Sequence, residues 1–240
     1  MPTTATVMNK PYVLTETRKL TPTITAYTFK AQDGTSIDFT PGMFAMLTYK
    51  DSNINISRAF SIANAPPSDS LEFVIALVHG AFTSKLENAK VGDTYYISAP
   101  YGQFKFESSA DEKILFFAGG TGIAPFLSML RSIRAKKINM DCRMMYSVKY
   151  PDEIAENEEL NQMEIDMNLK TFITVTRPKP EDNWKGDTGH VDAAMIQKDV
   201  PDFKDRVSYI CGPPAFVKAV KDDLVSLGVP EKNIKAEMWG

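Results

Sequence analysis

Gly119-Gly120-Thr121-Gly122-Ile123-Ala124-Pro125 is the stretch best suited to phosphate chemistry. It follows the apolar run Ile114-Leu115-Phe116-Phe117-Ala118 and precedes Phe126, Leu127, Leu130 and Ile133 at helical spacing, so a strand should turn into a helix here. At such a turn the bare backbone of Gly120, Thr121 and Gly122 can approach a pyrophosphate, and the opening helix offers unpaired N–H donors. Pro125 stands where the dinucleotide fingerprint carries its third glycine, and in a first helical turn it costs no hydrogen bond. Cys211-Gly212-Pro213-Pro214 repeats the pattern after Val207–Ile210, which puts a thiol and a tight turn at the carboxyl edge of a sheet, where open α/β sheets bind ligands. The plain alternatives are an ordinary βα turn and a small buried thiol closing a strand.

Four further clusters complete the chemistry. Arg58-Ala59-Phe60-Ser61 supplies a cation, a ring and a hydroxyl on or beside a strand, where alternation sends Arg58 and Phe60 to one face and Ser61 to the other. Gly80-Ala81-Phe82-Thr83-Ser84 sets hydroxyls after a glycine at the start of a short helix, and the preceding His79 reads as structural in a place that suits a turn-forming residue. Glu237-Met238-Trp239 brings a carboxyl and an indole to the end of a final strand. Thr176-Arg177, with Lys149 and Lys185, could receive a phosphate monoester through charge-assisted hydrogen bonds.

These clusters need two kinds of scaffold. From Tyr12 to about Phe106 short alternating strands (Thr23–Phe29, Phe44–Tyr49, Leu71–Leu77, Thr94–Ile97) are separated by breakers such as Pro41-Gly42, Pro66-Pro67 and Gly92-Asp93, which predicts an antiparallel barrel interrupted by a helix near Ala81–Asn88. After the polar stretch Glu107–Glu112 the pattern becomes apolar strands alternating with amphipathic helices, the signature of a doubly wound parallel sheet. Strands are expected at Arg143–Val148, Thr171–Thr176, Val207–Ile210 and Ile234–Met238, and helices at Glu156–Ile165 and Ala215–Leu227. The expected division is a barrel domain over residues 1–107 and an α/β domain over residues 112–240.

In order and spacing these motifs resemble the ferredoxin-NADP(H) reductase superfamily, in which an Arg-x-Tyr-Ser motif in a flavin-binding barrel precedes the nucleotide domain. The resemblance implies hydride transfer between nicotinamide C4 and flavin N5. FAD is the implied flavin with FMN as the alternative, and the coenzyme is NADP(H) or NAD(H). Arg58 would pair with a flavin phosphate, Ala59 and Phe60 would border the flavin, and the Ser61 hydroxyl would bond near N5. Phe60 replaces the family's tyrosine, keeping the ring and losing the hydroxyl. Gly80, Thr83 and Ser84 would form the second flavin segment, with the helix N-terminus toward the phosphates. Cys211, Gly212 and Pro213 would lie beside the nicotinamide, Trp239 over the flavin face, and Glu237 close to the reacting rings. Thr176-Arg177 is similar to the Ser-Arg pair of NADP-using members and inclines the reading to NADPH. Electrons would leave for an external acceptor such as a ferredoxin, a flavodoxin or an oxygenase component. A reductase of free flavin and a redox docking subunit without turnover are the other readings.

Composition narrows the field. With 27 basic and 30 acidic residues the chain lacks the positive excess of a nucleic-acid binder. Two cysteines, Cys142 and Cys211, are half of what a typical iron-sulfur cluster with four thiolate ligands needs, so no metal ligand set is expected. The first residues, Met1–Thr6, do not read as a leader and no long apolar run follows, so a cytoplasmic protein is expected.

Overall fold

The computed structural model describes residues 6–239; residues 1–5, on which the leader reading rests, and Gly240 lie outside it. The chain divides into two compact units, Met1–Glu107 with Ala124–Ser132, and Ser108–Ile123 with Ile133–Gly240.

The first unit is an antiparallel half-barrel. Its strands are β1 (Val7–Lys19), β2 (Ile24–Ala31), β3 (Phe44–Lys50), β4 (Asn55–Ser61), β5 (Ser70–Ala76) and β6 (Thr94–Tyr101), with helix α1 (Thr83–Glu87) between the last two. They pair in the order β4-β3-β6-β1-β2-β5, so β4 and β5 end the ladder. Period-two alternation sends Tyr12, Leu14, Tyr27, Phe29, Leu47, Leu71, Phe73, Tyr95 and Ile97 inward to one core. Helix α2 (Ala124–Ala135) contributes its first turns to this unit. Ser128 Oγ donates to the Asn64 carbonyl at 2.8 Å, and Arg131 reaches the Ala63 carbonyl at 3.0 Å and Glu72 Oε2 at 2.8 Å. The opening helix of the expected nucleotide half is thus shared between the units.

The second unit is built on a parallel sheet of β7 (Lys113–Gly119), β8 (Cys142–Val148), β9 (Leu169–Val175), β10 (Asp187–Thr188), β11 (Arg206–Gly212) and β12 (Ile234–Met238). Their spatial order is β10-β9-β8-β7-β11-β12, so the chain winds outward from β7 in one direction, then restarts beside β7 and winds the other way. This is the doubly wound arrangement, and its switch point lies between β7 and β11. The central strand β7 is buried from Ile114 onward, as a strand flanked on both sides and both faces must be. Helices α3 (Asn157–Asp166), α4 (Ala193–Asp199) and α5 (Pro214–Ser226) complete the unit. On one face Ile196, Val217, Val220 and Leu224 pack against Leu115, Phe117, Met145 and Ile210.

Candidate functional site

The residues singled out in the sequence fall into two groups, one in each unit. In the first unit, β4 carries Arg58, Ala59, Phe60 and Ser61 at the end of the ladder. Arg58 pairs with the core-facing Leu47 and Phe60 with Ala45, so the two share the inward face as alternation predicts, and Ser61 pairs with Phe44 on the other. Phe60 packs with ring centroids 5.6 Å from Phe82 and 6.4 Å from Phe73. Arg58 is exposed, bonds only to its neighbour's carbonyl (Ser57 O, 2.8 Å), and meets no carboxylate among the described residues. An inward-facing charge on a ladder end also discourages edge-to-edge pairing. On one face a cation stands beside an apolar ring, a pair that fits a phosphate-bearing aromatic group, and the Ser61 hydroxyl follows on the other.

The Gly80–Ser84 segment is held by hydrogen bonds within its own turn. Thr83 is buried, its Oγ1 accepts from Gly80 N at 2.9 Å and donates to Gly80 O at 3.3 Å, and Ser84 N returns to Gly80 O at 2.9 Å. The hydroxyl therefore clasps its own turn. Helix α1 is five residues long and has no side-chain hydrogen bond at its N-cap. The segment also supplies Phe82, whose buried ring ties it to Phe60. His79 sits at φ 53°, the left-handed conformation of a turn residue, and pairs with Glu87 at 3.5 Å.

In the second unit the turns after β7 and β11 meet at the switch point. Gly120–Ile123 forms a tight 3-10 turn leading into α2, with Pro125 in its first turn. Gly120 has φ +54°, and a Cβ there would meet nothing within 4 Å, so it is the glycine with open space above it. Gly122 is different: a Cβ would stand 2.2 Å from the Cys211 carbonyl oxygen. Its small size answers to the neighbouring turn. Pro213 caps α5 and Pro214 opens it, where the absent N–H costs nothing.

Beside them, Cys211 lies in parallel register with Glu237, and Trp239 N donates to the Gly212 carbonyl at 3.3 Å. Cys211 is fully buried; burial first and the Glu237 charge second push its thiol well above the usual range, against a smaller opposing hydrogen bond with the Trp239 side chain. Burial also raises the Glu237 carboxyl to about 7. Trp239 is 39% exposed. A neutral thiol, a carboxyl poised near neutrality and an accessible indole thus gather at the turn after β11, against which Gly122 of the other turn packs.

Thr176 and Arg177 stand farther along the same carboxyl edge, past β9, and the structure does not bring them to the switch point. Thr176 Oγ1 donates to the Val148 carbonyl at 3.3 Å, and Arg177 N to the Lys149 carbonyl at 2.8 Å. Among the described residues no group of three or more His, Cys, Asp or Glu could hold a metal, and no helix is long and apolar enough to cross a membrane. Sequence reasoning missed Phe216, whose ring lies on the glycines of both turns. An aromatic in a first helical turn reads as ordinary core, and nothing in its spacing separates it from one.

The oxidoreductase FAD-binding domain family matches residues 11–106, and the oxidoreductase NAD-binding domain family residues 116–222. The chain is 31% identical over 202 residues to a component of the Na(+)-translocating NADH-quinone reductase of Idiomarina loihiensis, a match covering 82% of this chain and 48% of that protein. It spans about half the length of the curated relatives it matches first. Among solved structures, the flavohem-like FAD/NAD-binding domain of nitric oxide dioxygenase from Vibrio cholerae superposes with a TM-score of 0.88 at 19% identity, covering 97% of this chain and 99% of that one. A ferredoxin NADP+ reductase from Neisseria gonorrhoeae, solved with FAD and NADP bound, gives 0.81 at 20% identity over 97% and 99% of the two chains. These structural likenesses establish the fold.

Proposed function

The chain belongs to the ferredoxin-NADP(H) reductase-like superfamily of FAD- and NAD-binding oxidoreductases, and from that premise we propose that it is an NAD(P)H-dependent flavoprotein reductase that delivers electrons to an external acceptor. The observation that carries the reading is the convergence of an open Gly120 turn, Cys211, Gly212, Glu237 and Trp239 at one switch point. FAD, when bound, supplies a hydride acceptor at flavin N5 and a store for the electron pair. Gly120, Thr121 and Gly122 would hold the coenzyme pyrophosphate. Cys211 would border the nicotinamide as an uncharged thiol, with Gly212 and Pro213 shaping the turn, and Trp239 would control access. Glu237, its carboxyl raised by burial to about 7, would orient the nicotinamide or relay a proton. Arg58 would neutralise a flavin phosphate, Phe60 would pack on the ring system, and the Ser61 hydroxyl would donate toward N5. The acceptor is a ferredoxin, a flavodoxin, an oxygenase component or, following the names of the relatives, a partner that delivers to a quinone.

One observation favours a second reading. The Thr83 hydroxyl bonds to Gly80 within its own turn, and if it stays so engaged, Arg58 would be the main side-chain grip on the flavin phosphates and the flavin would be a substrate that leaves after reduction.

The test is an anaerobic spectrum of the purified protein, titrated with NADH and NADPH in separate samples, beside the Arg58→Ala variant. Bleaching of a protein-bound flavin band, with less flavin retained by the variant, is the expected result. A colourless protein that reduces added FAD catalytically would move the assignment to flavin reductase. A protein that neither binds FAD nor oxidises either coenzyme would end both readings.

A further inference from the structure

Three glycines at the switch point are small for the sake of each other and of one ring. A Cβ on Gly119 would lie 2.9 Å from Phe216 Cδ1, and one on Gly212 would lie 2.9 Å from that same atom and 3.1 Å from Gly119 Cα. A Cβ on Gly122 would strike the Cys211 carbonyl and stand 2.9 Å from Gly212 Cα. The last residue of β7 and the last residue of β11 therefore lie glycine against glycine, and the Phe216 ring rests on both. Phe216 is half-buried, in the first turn of α5, and its far side packs into the cluster formed by α5 with Leu115, Phe117 and Ile210. It is wedged between a rigid core and two turns that have no side chains of their own to hold them apart.

We propose that Phe216 is a positioning residue that fixes the spacing between the turn after β7 and the Cys211 turn after β11. The proposal rests on the assignment of these turns as the pyrophosphate and nicotinamide sites. If the coenzyme is held at both ends, a shift of one turn against the other moves nicotinamide C4 relative to the flavin, and hydride transfer is steep in that displacement. Phe216 itself touches glycine backbone and core. It would act through Gly119, Gly212 and Cys211.

The test is a double-mutant cycle on the full chain, using Gly119→Ala, Phe216→Ala and the pair, with Phe216→Leu as the conservative control. Two readouts are taken: thermal unfolding of the protein without coenzyme, and the rate and coenzyme dependence of anaerobic flavin reduction in single turnover. Gly119→Ala should be strongly destabilising alone and much less so in the Phe216→Ala background, because the ring its methyl would strike is gone. Phe216→Ala should slow reduction on the order of 10- to 100-fold at unchanged flavin content, with Phe216→Leu recovering most of it.

Additive melting temperatures would remove the contact, and with it the proposal. A coupled melting cycle with unchanged reduction kinetics in Phe216→Ala would overturn the positioning role while leaving the contact. A wild-type protein whose bound flavin neither coenzyme reduces would overturn the assignment of the two turns, and the positioning role with it.

Discussion

The pair Cys211 and Glu237 shows how two neighbouring residues can be kept electrically quiet by position alone. Parallel register sets them side by side on β11 and β12 at the sheet's carboxyl edge, and burial opposes charge on both. A thiol raised this far is no nucleophile at neutral pH. Bordering the nicotinamide as proposed, it would contribute size and polarizability, so an alanine there should slow hydride transfer while leaving bound flavin in place. Glu237 is different, because its pKa rises from 4.5 to about 7 and so crosses the working range. Between those values the folded chain binds more protons than the unfolded chain, so the stability this group contributes is full below 4.5 and is lost as pH rises through about 7. Glu237→Gln should remove that loss: the melting temperature of the variant should gain on that of the wild type as pH rises across the window, and the reduction rate should lose any inflection near neutrality. Parallel melting curves for the two proteins would refute the shift. The sequence offered both residue types and their closeness to a strand end. It could not offer their register, which pairs residues 211 and 237 through a strand alignment that no local pattern encodes.

At the scale of elements, the carboxyl edge that holds the site is steadied from the opposite edge. Arg206, the first residue of β11, is 1% exposed and bonds in bidentate fashion to Asp202 (Nε to Oδ1 and Nη2 to Oδ2, both 2.8 Å), to Asp141 Oδ2 at 3.1 Å, and to the Asp141 and Ile114 carbonyls at 3.2 and 3.4 Å. One guanidinium thereby ties the starts of β11 and β7 to the residue before β8. Removing it leaves Asp202 with Lys113 and Asp141 with Arg143 as their remaining cations and strips the Asp141 and Ile114 carbonyls of a donor, so Arg206→Ala should cost about 1–3 kcal/mol by denaturant unfolding, whereas a well-packed Arg206→Met should cost less. The hydrogen bonds from Arg206 and Lys113 hold Asp202 down at about 2, so its contribution is present above 3.8 and fades as pH falls through about 2. An alanine variant as stable as the wild type would deny the anchor.

Most elements were legible from the sequence because strand and helix periods are local: β2, β3, β5 to β9, β11, β12, α3 and α5 lie within a few residues of their expected spans. The start of β1 was obscured by a register shift between Val7 and Lys10, with Asn9 at φ 48° and Pro11 inside the strand, which breaks the alternation before Tyr12. Helix α4 was overlooked for its seven-residue length, although Asp192 marks it by accepting from Met195 N at 2.8 Å as an N-cap. The sharing of α2 between units depends on hydrogen bonds to Ala63, Asn64 and Glu72, which lie some sixty residues away in sequence.

For the molecule as a whole, the balance of charge bears on which coenzyme it uses. A chain with net charge −3 that binds anionic coenzymes must gather positive charge locally. On the carboxyl edge of the second unit the exposed cations include Lys149 after β8, Arg177 after β9, and Lys179 and Lys185 in the following loop, with Lys179 over the Tyr150 ring. The Arg177 backbone is pinned to the Lys149 carbonyl, so the base of its exposed side chain is fixed. The partner hydroxyl suggested by the Thr176-Arg177 pattern is already donated to Val148, which leaves Arg177 without a second donor on the same turn. One guanidinium can add a charge-assisted contact worth about 1.5–3 kcal/mol to a 2′-phosphate, and it adds nothing to a coenzyme that lacks one. Any preference for NADPH over NADH would therefore rest on the Arg177 side chain rather than on a paired hydroxyl and guanidinium. Arg177→Ala should therefore lower kcat/KM for NADPH by roughly 10- to 100-fold and leave that for NADH within about twofold. Equal losses with both coenzymes would mean that Arg177 shapes the loop rather than reads the phosphate, and loss with neither would move the choice of coenzyme to Lys149 or Lys185.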